Sequence, residues 1–220
     1  MTPEEMVILD GLKIMGGIFW GPSHDVCIKM LGEPYLNGLQ SLKSILPERS
    51  LDSLDQIVAT IKSFPDGESL YQHLEEGYVR LFISAKGGIM APLYESCYEF
   101  EGAPLMGRAA AEMRERFEAK GLSVADTIKE TPDHLAIELE YLYFLLDRGW
   151  RDKDVTLISE AATFARETML PWVSVFEEKL AHEKTCRFYP LAARILVEVL
   201  NSIGEIQNSP KSPFIKRGLL

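Results

Sequence analysis

ETPDHLAIELEYLYFLL, residues 130–146, is the stretch from which the fold is read. Thr131 is a good N-cap residue, and Pro132 suits the first helical position, where its missing N–H leaves nothing unpaired. Asp133 would then lie in the first turn, at the positive end of the helix dipole. His134 and Glu138 are four apart and share a face. Leu135, Leu139, Leu142 and Leu146 recur at helical spacing, and Ile137, Tyr141, Phe144 and Leu145 widen the stripe. A helix apolar over most of its circumference is central and buried. Its polar residues are confined to the first turns, so recognition or chemistry is expected there.

Working outward, the N-terminal side divides into short helical pieces. Met6, Leu9, Ile14 and Ile18 support a helix over residues 3–20, which Gly16 and Gly17 weaken and Gly21-Pro22 end. Ser23 caps a short helix through Leu31, and another spans residues 35–45. Leu54, Ile57, Val58 and Ile61 mark a helix over 51–64. Leu70, Leu74, Tyr78, Leu81 and Phe82 mark one over 69–83. The pattern then fails in AKGGIMAPLYESCYEFEGAPLMG, residues 85–107, a loop too long and too aromatic to be a plain connection. Residues 106–120 form a charged helix ending at Gly121. Beyond the central helix, residues 152–168 are helical, Pro171 starts a new helix or kinks the same one, and residues 187–206 form the last helix. The tail, 207–220, is polar, Pro-containing and locally basic, and is expected to be flexible. No segment alternates as a strand. The expectation is an all-α, single-domain bundle of about nine helices over residues 1–206.

Composition narrows the function. A net charge of −10 disfavours nucleic-acid binding and is compatible with a basic partner, although on charge alone plain solubility accounts for it better. Cys27, Cys97 and Cys186 are far apart and odd in number, which suits a reducing compartment. The N-terminal residues are acidic, unlike a signal peptide. The longest uncharged run, Ile14 to His24, is about 11 residues, short of the ~20 that cross a bilayer. These features predict a cytoplasmic protein without stable membrane insertion.

Motifs for chemistry are few. There is no Gly-x-Gly-x-x-Gly and no phosphate loop of the Walker type. His182-Glu183 lacks a second histidine at zinc spacing, and no paired Glu-x-x-His is present. Asp133, His134 and Glu138, with Glu130, have the chemistry of a metal or ligand site, and equally of a capped helix start. Ser96 and Cys97 have no base assigned by spacing. The residues alone lead to a polar and aromatic site built from the 87–105 loop and the 130–138 helix start.

The same stretch resembles the signature of the TorD/DmsD/NarJ family of redox-enzyme maturation chaperones, with Glu130, Pro132, Asp133, His134, Glu138, Leu139 and Tyr141 in matching places; Thr131 departs from the commonest form. YVRLFI (78–83), APLYESCY (91–98), and MLPWVSVFEEKL with CRFYPLAARIL (169–180 and 186–196) resemble further family motifs, in the family's order. The resemblance implies an all-α cytoplasmic chaperone without catalytic activity or cofactor. It would bind the twin-arginine signal peptide and precursor of a molybdenum or tungsten oxidoreductase, as a monomer or homodimer, and hold back export until the cofactor is inserted. Its peptide-binding residues would be Tyr78, Leu81, Phe82, Pro92, Tyr94, Glu95, Ser96, Asp133, His134 and Glu138, joined by Tyr98 and Glu130. Tyr78, Leu81 and Phe82 read equally well as core, and Glu138 as a group that orients His134. The alternative is a helical ligand- or metal-binding protein that uses Asp133, His134 and Glu138.

Overall fold

The computed structural model describes residues 1–84, 88–100, 102–103 and 105–206. In chain order the helices are α1 (Pro3–Trp20), α2 (His24–Met30), α3 (Glu33–Ser41), α4 (Glu48–Lys62), α5 (Gly67–Tyr78), α6 (Arg108–Ala119), α7 (Leu135–Asp152), α8 (Val155–Thr163), α9 (Leu170–Leu180) and α10 (Phe188–Gly204). A π turn, Val79–Ile83, extends α5, and a second, Phe164–Met169, joins α8 to α9 without a break. Counting α8 and α9 as one rod gives nine helices among the described residues. The all-α reading holds; the described backbone contains one isolated antiparallel bridge, Tyr94 to His134, and no strand. The flexible tail expected at 207–220 lies outside the described residues, as do residues 85–87, 101 and 104 of the long loop.

The central helix starts later than its sequence suggests. Thr131 is not its N-cap and Asp133 is not in its first turn: α7 begins at Leu135, and the cap is His134, whose Nδ1 accepts the Ala136 N–H at 3.2 Å. The reason is tertiary. Asp133 O accepts the Glu95 N–H at 3.0 Å, and Leu135 N–H donates to Leu93 O at 2.8 Å. The loop thus takes main-chain groups that would otherwise open the helix. Thr131, which precedes proline, is also biased to extended backbone.

From Leu135 onward α7 behaves as its apolar stripe requires. Leu135, Leu139, Leu142, Leu145 and Leu146 are buried. The helix ends where Lys153 adopts a left-handed conformation, φ 56°, and donates to Gly149 O. α1 runs antiparallel beside it, so that Trp20 meets His134 at one end and Thr2 and Ile8 face Trp150 at the other. α10 closes the core from the other side. It is tied to the start of α4 by Arg49, whose Nε and Nη2 both reach the Glu198 carboxylate at 2.8 Å. Phe19, Phe82, Phe176 and Tyr189 meet edge-on or stacked where α1, the first π turn, α9 and α10 converge.

Pro171 neither ends the helix nor opens a separate one. It follows the second π turn directly, and that wider turn absorbs the ring and the missing N–H within one rod.

Leu142 is fully buried in the middle of α7. Leu142→Ala should therefore lower unfolding free energy by ~2–5 kcal/mol, the range for a truncated core leucine. A denaturant titration showing less than ~1 kcal/mol would place α7 at the periphery.

Candidate functional site

The loop carrying residues 88–100 is strapped across the start of α7. Beyond the two main-chain bonds, Asp133 holds it by its side chain: one carboxyl oxygen accepts the Ser96 N–H at 3.0 Å and the other the Thr131 hydroxyl at 2.5 Å. Asp133, Ser96 and Glu138 are fully buried. Tyr94 O–H donates to Glu130, and its ring stands edge-on to His134 at 5.1 Å. His134 also meets Trp20 edge-on at 5.6 Å. Tyr98 folds back, donating to Pro92 O at 2.8 Å, with its ring against Trp172 and under the Lys179 ammonium. The loop and helix start expected to act together are thus in contact.

The buried polar groups hold unusual protonation states. Burial pushes the His134 imidazole down to about 4, against the opposing pull of Glu130 and Asp133. It is neutral at pH 7, and because Nδ1 accepts a hydrogen bond, the proton sits on Nε2. Burial raises Glu138 well above the ordinary carboxylate range, and the neighbouring Glu95 and Asp133 reinforce this. Glu95 is also raised, chiefly by burial; it neighbours Glu138, whose Oε1 is buried with no partner unless one of the two carboxyls carries a proton. Two carboxyls in such contact share a proton. The second Glu138 oxygen accepts the Trp172 indole N–H at 3.2 Å.

The remaining predicted residues fall into two groups. Leu81 and Phe82 are core; Leu81 O accepts the Ala91 N–H at 3.2 Å, which anchors the start of the loop. Tyr78 is half-buried, and its hydroxyl reaches Phe19 O and Trp20 O at 3.2 and 3.3 Å, fastening the end of α1. Its ring also lines a feature absent from the sequence reading.

That feature is a groove of about 860 Å³ between α1, the start of α2, the end of α5 with its π turn, and α7. Trp20, Val79 and Ile83, 45%, 42% and 55% exposed, form its apolar rim, with Leu12, Leu139 and Tyr143 among the residues lining it. Glu75 and Glu140 stand at its edge, and Lys13 lies over the Tyr143 ring. Gly16 and Gly17 are the signal that was missed. They looked like weak points in a helix, yet they leave the groove unfilled: a side-chain carbon at Gly17 would meet nothing within 4 Å. The His134 ring, in contact with both Trp20 and Tyr94, links this groove to the strapped loop.

Comparison with known proteins follows the same lines. A family model for the nitrate reductase delta subunit matches residues 48–178, more than half of the chain. The chain belongs to this TorD/NarJ family of redox-enzyme maturation chaperones. It is 27% identical over 159 residues to the chaperone protein TorD of Vibrio cholerae serotype O1 (strain M66-2), covering 70% of this chain and 71% of that one. It is 26% identical over 167 residues to the TorD of Vibrio parahaemolyticus serotype O3:K6, covering 74% and 75%. A crystal structure described as a candidate redox enzyme maturation protein from Archaeoglobus fulgidus superposes with a TM-score of 0.54 at 24% identity, over 88% of this chain and 93% of the other. That likeness speaks for the fold.

The protonation states make stability depend on pH in two opposed ways. The folded His134 value lies below the unfolded one, so the unfolded chain takes up the proton first as pH falls. The fold loses stability between about 6.5 and about 4, by at most about 3 kcal/mol. Glu138 works in reverse: the folded chain keeps a proton that the unfolded chain has released, so stability falls as pH rises above the ordinary carboxylate range. Glu138→Gln supplies a permanent donor to Glu95 at nearly constant shape. Its melting temperature should exceed that of the wild type, by more at pH 8 than at pH 5. An equal change at both pH values would rule out the shared proton.

Proposed function

We propose that this chain is a cytoplasmic, non-catalytic chaperone that binds the twin-arginine signal peptide and precursor of a molybdenum or tungsten oxidoreductase and holds it back from export until its cofactor is inserted. The observation that carries this reading is the open apolar groove rimmed by Glu75 and Glu140 beside the strapped loop. A signal peptide of this type joins a basic end to an apolar run. The run suits Trp20, Val79, Ile83 and the bare helix surface at Gly16-Gly17, as apolar segments enter grooves elsewhere. The arginines suit Glu75, Glu140 and Glu130, through charge-assisted hydrogen bonds.

In this reading the twelve predicted residues divide their work. Tyr78, Pro92, Tyr94, Tyr98 and Glu130, all partly exposed, are placed to meet a peptide. Leu81, Phe82, Ser96, Asp133, His134 and Glu138, all buried, act by holding the loop and Trp20 in place, with Glu95 sharing the Glu138 proton. The metal-binding alternative draws no support from the geometry. The Asp133 oxygens and His134 Nδ1 are already engaged, and no group of three or more ligating side chains is assembled among the described residues.

Calorimetry on the purified full chain tests both parts. A synthetic twin-arginine signal peptide should bind, and added salt should weaken it, since exposed charges are screened over ~8–10 Å at physiological ionic strength. Replacing both arginines by glutamine should lower affinity by about ten-fold or more at low salt, the worth of a charge-assisted hydrogen bond. Gly17→Met should lower affinity by a similar factor while leaving the melting temperature unchanged or higher, because glycine disfavours a helix interior. Equal affinity for the two peptides would remove the carboxylate–arginine contact. Full affinity in Gly17→Met would move the peptide out of the groove.

A further inference from the structure

The first half of α7 separates two hollows. Ala136, Leu139 and Tyr143 line the groove proposed for the signal peptide. Ile137, Tyr141 and Phe144, on the adjoining face of the helix, line a smaller hollow of about 240 Å³. Its far wall is Leu122, Val124 and Ile128, from the connection between α6 and α7. That volume is below the ~300–1,000 Å³ of a cleft for a whole ligand, and it suits one large apolar side chain. Glu140 lines both hollows. It is exposed, and its helical neighbours three and four positions away, Ala136, Ile137, Tyr143 and Phe144, carry no charge. Two other acids near the peptide groove are already engaged: Glu75 accepts the Tyr71 O–H and Glu130 the Tyr94 O–H. Among the described residues Glu140 has no hydrogen bond or ion pair.

We propose that Glu140 is the residue that selects an arginine of the bound peptide, and that the peptide crosses α7 at this point and places one apolar side chain in the second hollow. The inference rests on the signal-peptide reading above, and adds where the arginine sits and what must accompany it. A free carboxylate with apolar surface on both sides is complementary to a cation that carries apolar groups beside it. A lone cation, or a wholly basic segment, leaves both hollows unfilled. With the peptide's apolar run in the first groove and one apolar side chain in the second hollow, water is excluded from around the guanidinium, and the charge-assisted hydrogen bonds to Glu140 are strengthened. The crossing also sets a spacing. Side chains two positions apart in an extended chain point the same way and lie roughly 7 Å apart. Neighbouring positions on a helix surface are ~5–6 Å apart, so an arginine on Glu140 puts the side chain two positions away over the hollow beside Ile137 and Tyr141.

The test is calorimetry on the full chain with the synthetic twin-arginine peptide and two sets of changes. In the protein, Glu140→Gln removes the charge at nearly constant shape. Ser123→Phe fills the second hollow, since Ser123 is exposed and lines that hollow without lining the first; Ala125→Leu, from the same exposed wall, is an independent second filling. Melting temperatures check that each variant is folded. In the peptide, each arginine is replaced in turn by glutamine and each apolar residue by serine. Glu140→Gln should lower affinity by about ten-fold or more. Replacing one of the two arginines should weaken binding to the wild type equally, and weaken binding to Glu140→Gln no further. Filling the hollow should lower affinity by a similar factor, and this effect should vanish for the peptide whose apolar residue two positions from that arginine is serine. Wild-type affinity in Glu140→Gln and in both filled variants overturns the inference and leaves the chaperone reading standing. A loss in Glu140→Gln alone confines the peptide to the first groove and overturns the crossing. Absence of binding to the wild type overturns the chaperone reading, and this inference with it.

Discussion

The fold of the site depends on one carboxyl group. Asp133 is fully buried and binds the Ser96 N–H and the Thr131 hydroxyl, while its own carbonyl takes the Glu95 N–H. These bonds join the loop to the entrance of α7. They fix His134 as the cap, cover Glu138 with Glu95, and bring both Tyr94 and Trp20 edge-on to the imidazole. Hydrogen bonds involving a charged partner are worth ~1.5–3 kcal/mol net, and a buried polar group left without partners is penalised by a similar amount. The loop is consequently held by what its detachment would expose as much as by what its attachment forms.

Such a knot is a selective device. An apolar plug of the same volume would avoid burying three carboxyl groups side by side. It would also accept several loop positions, since apolar contact has no direction. Here the donors and acceptors are matched in one register: Leu93 with Leu135, Glu95 with Asp133, Ser96 with the Asp133 side chain. A slip of one residue would break every pair. The rim of the adjacent groove gains its shape from this register, through the His134 ring that supports Trp20.

The helices and their burial were legible because periodicity reports them directly. Leu135, Leu139, Leu142 and Leu146 lie where their spacing puts them, and Leu81 and Phe82 belong to the core, one of the two readings open to them. The helix start was misread because Thr131, Pro132 and Asp133 form a good local cap, and local rules cannot register that a loop some 37 residues earlier claims the same groups. The loop and helix start were rightly placed together, though as an open site and not as buried polar contacts. The groove left only a faint trace, since it is defined by side chains that Gly16 and Gly17 lack. The π turns left none in Val79–Ile83 and an ambiguous one, Pro171, after Phe164–Met169.

The π turn at Val79–Ile83 bears on how this chain tolerates changes in length. It accommodates one residue more than an α-turn, so it lets Val79 and Ile83 face the groove while Leu81 and Phe82 face the core. Loss of one residue in this segment would close the turn to a regular α-helix with the residues on either side keeping their faces, whereas gain of one would turn everything after it by ~100° about the axis. Phe82 would swing away from Phe19, Phe176 and Tyr189, and a groove-facing side chain would be driven among them. A single-codon insertion here would therefore exchange an inner surface for an outer one, whereas a single-codon deletion would be absorbed by the turn.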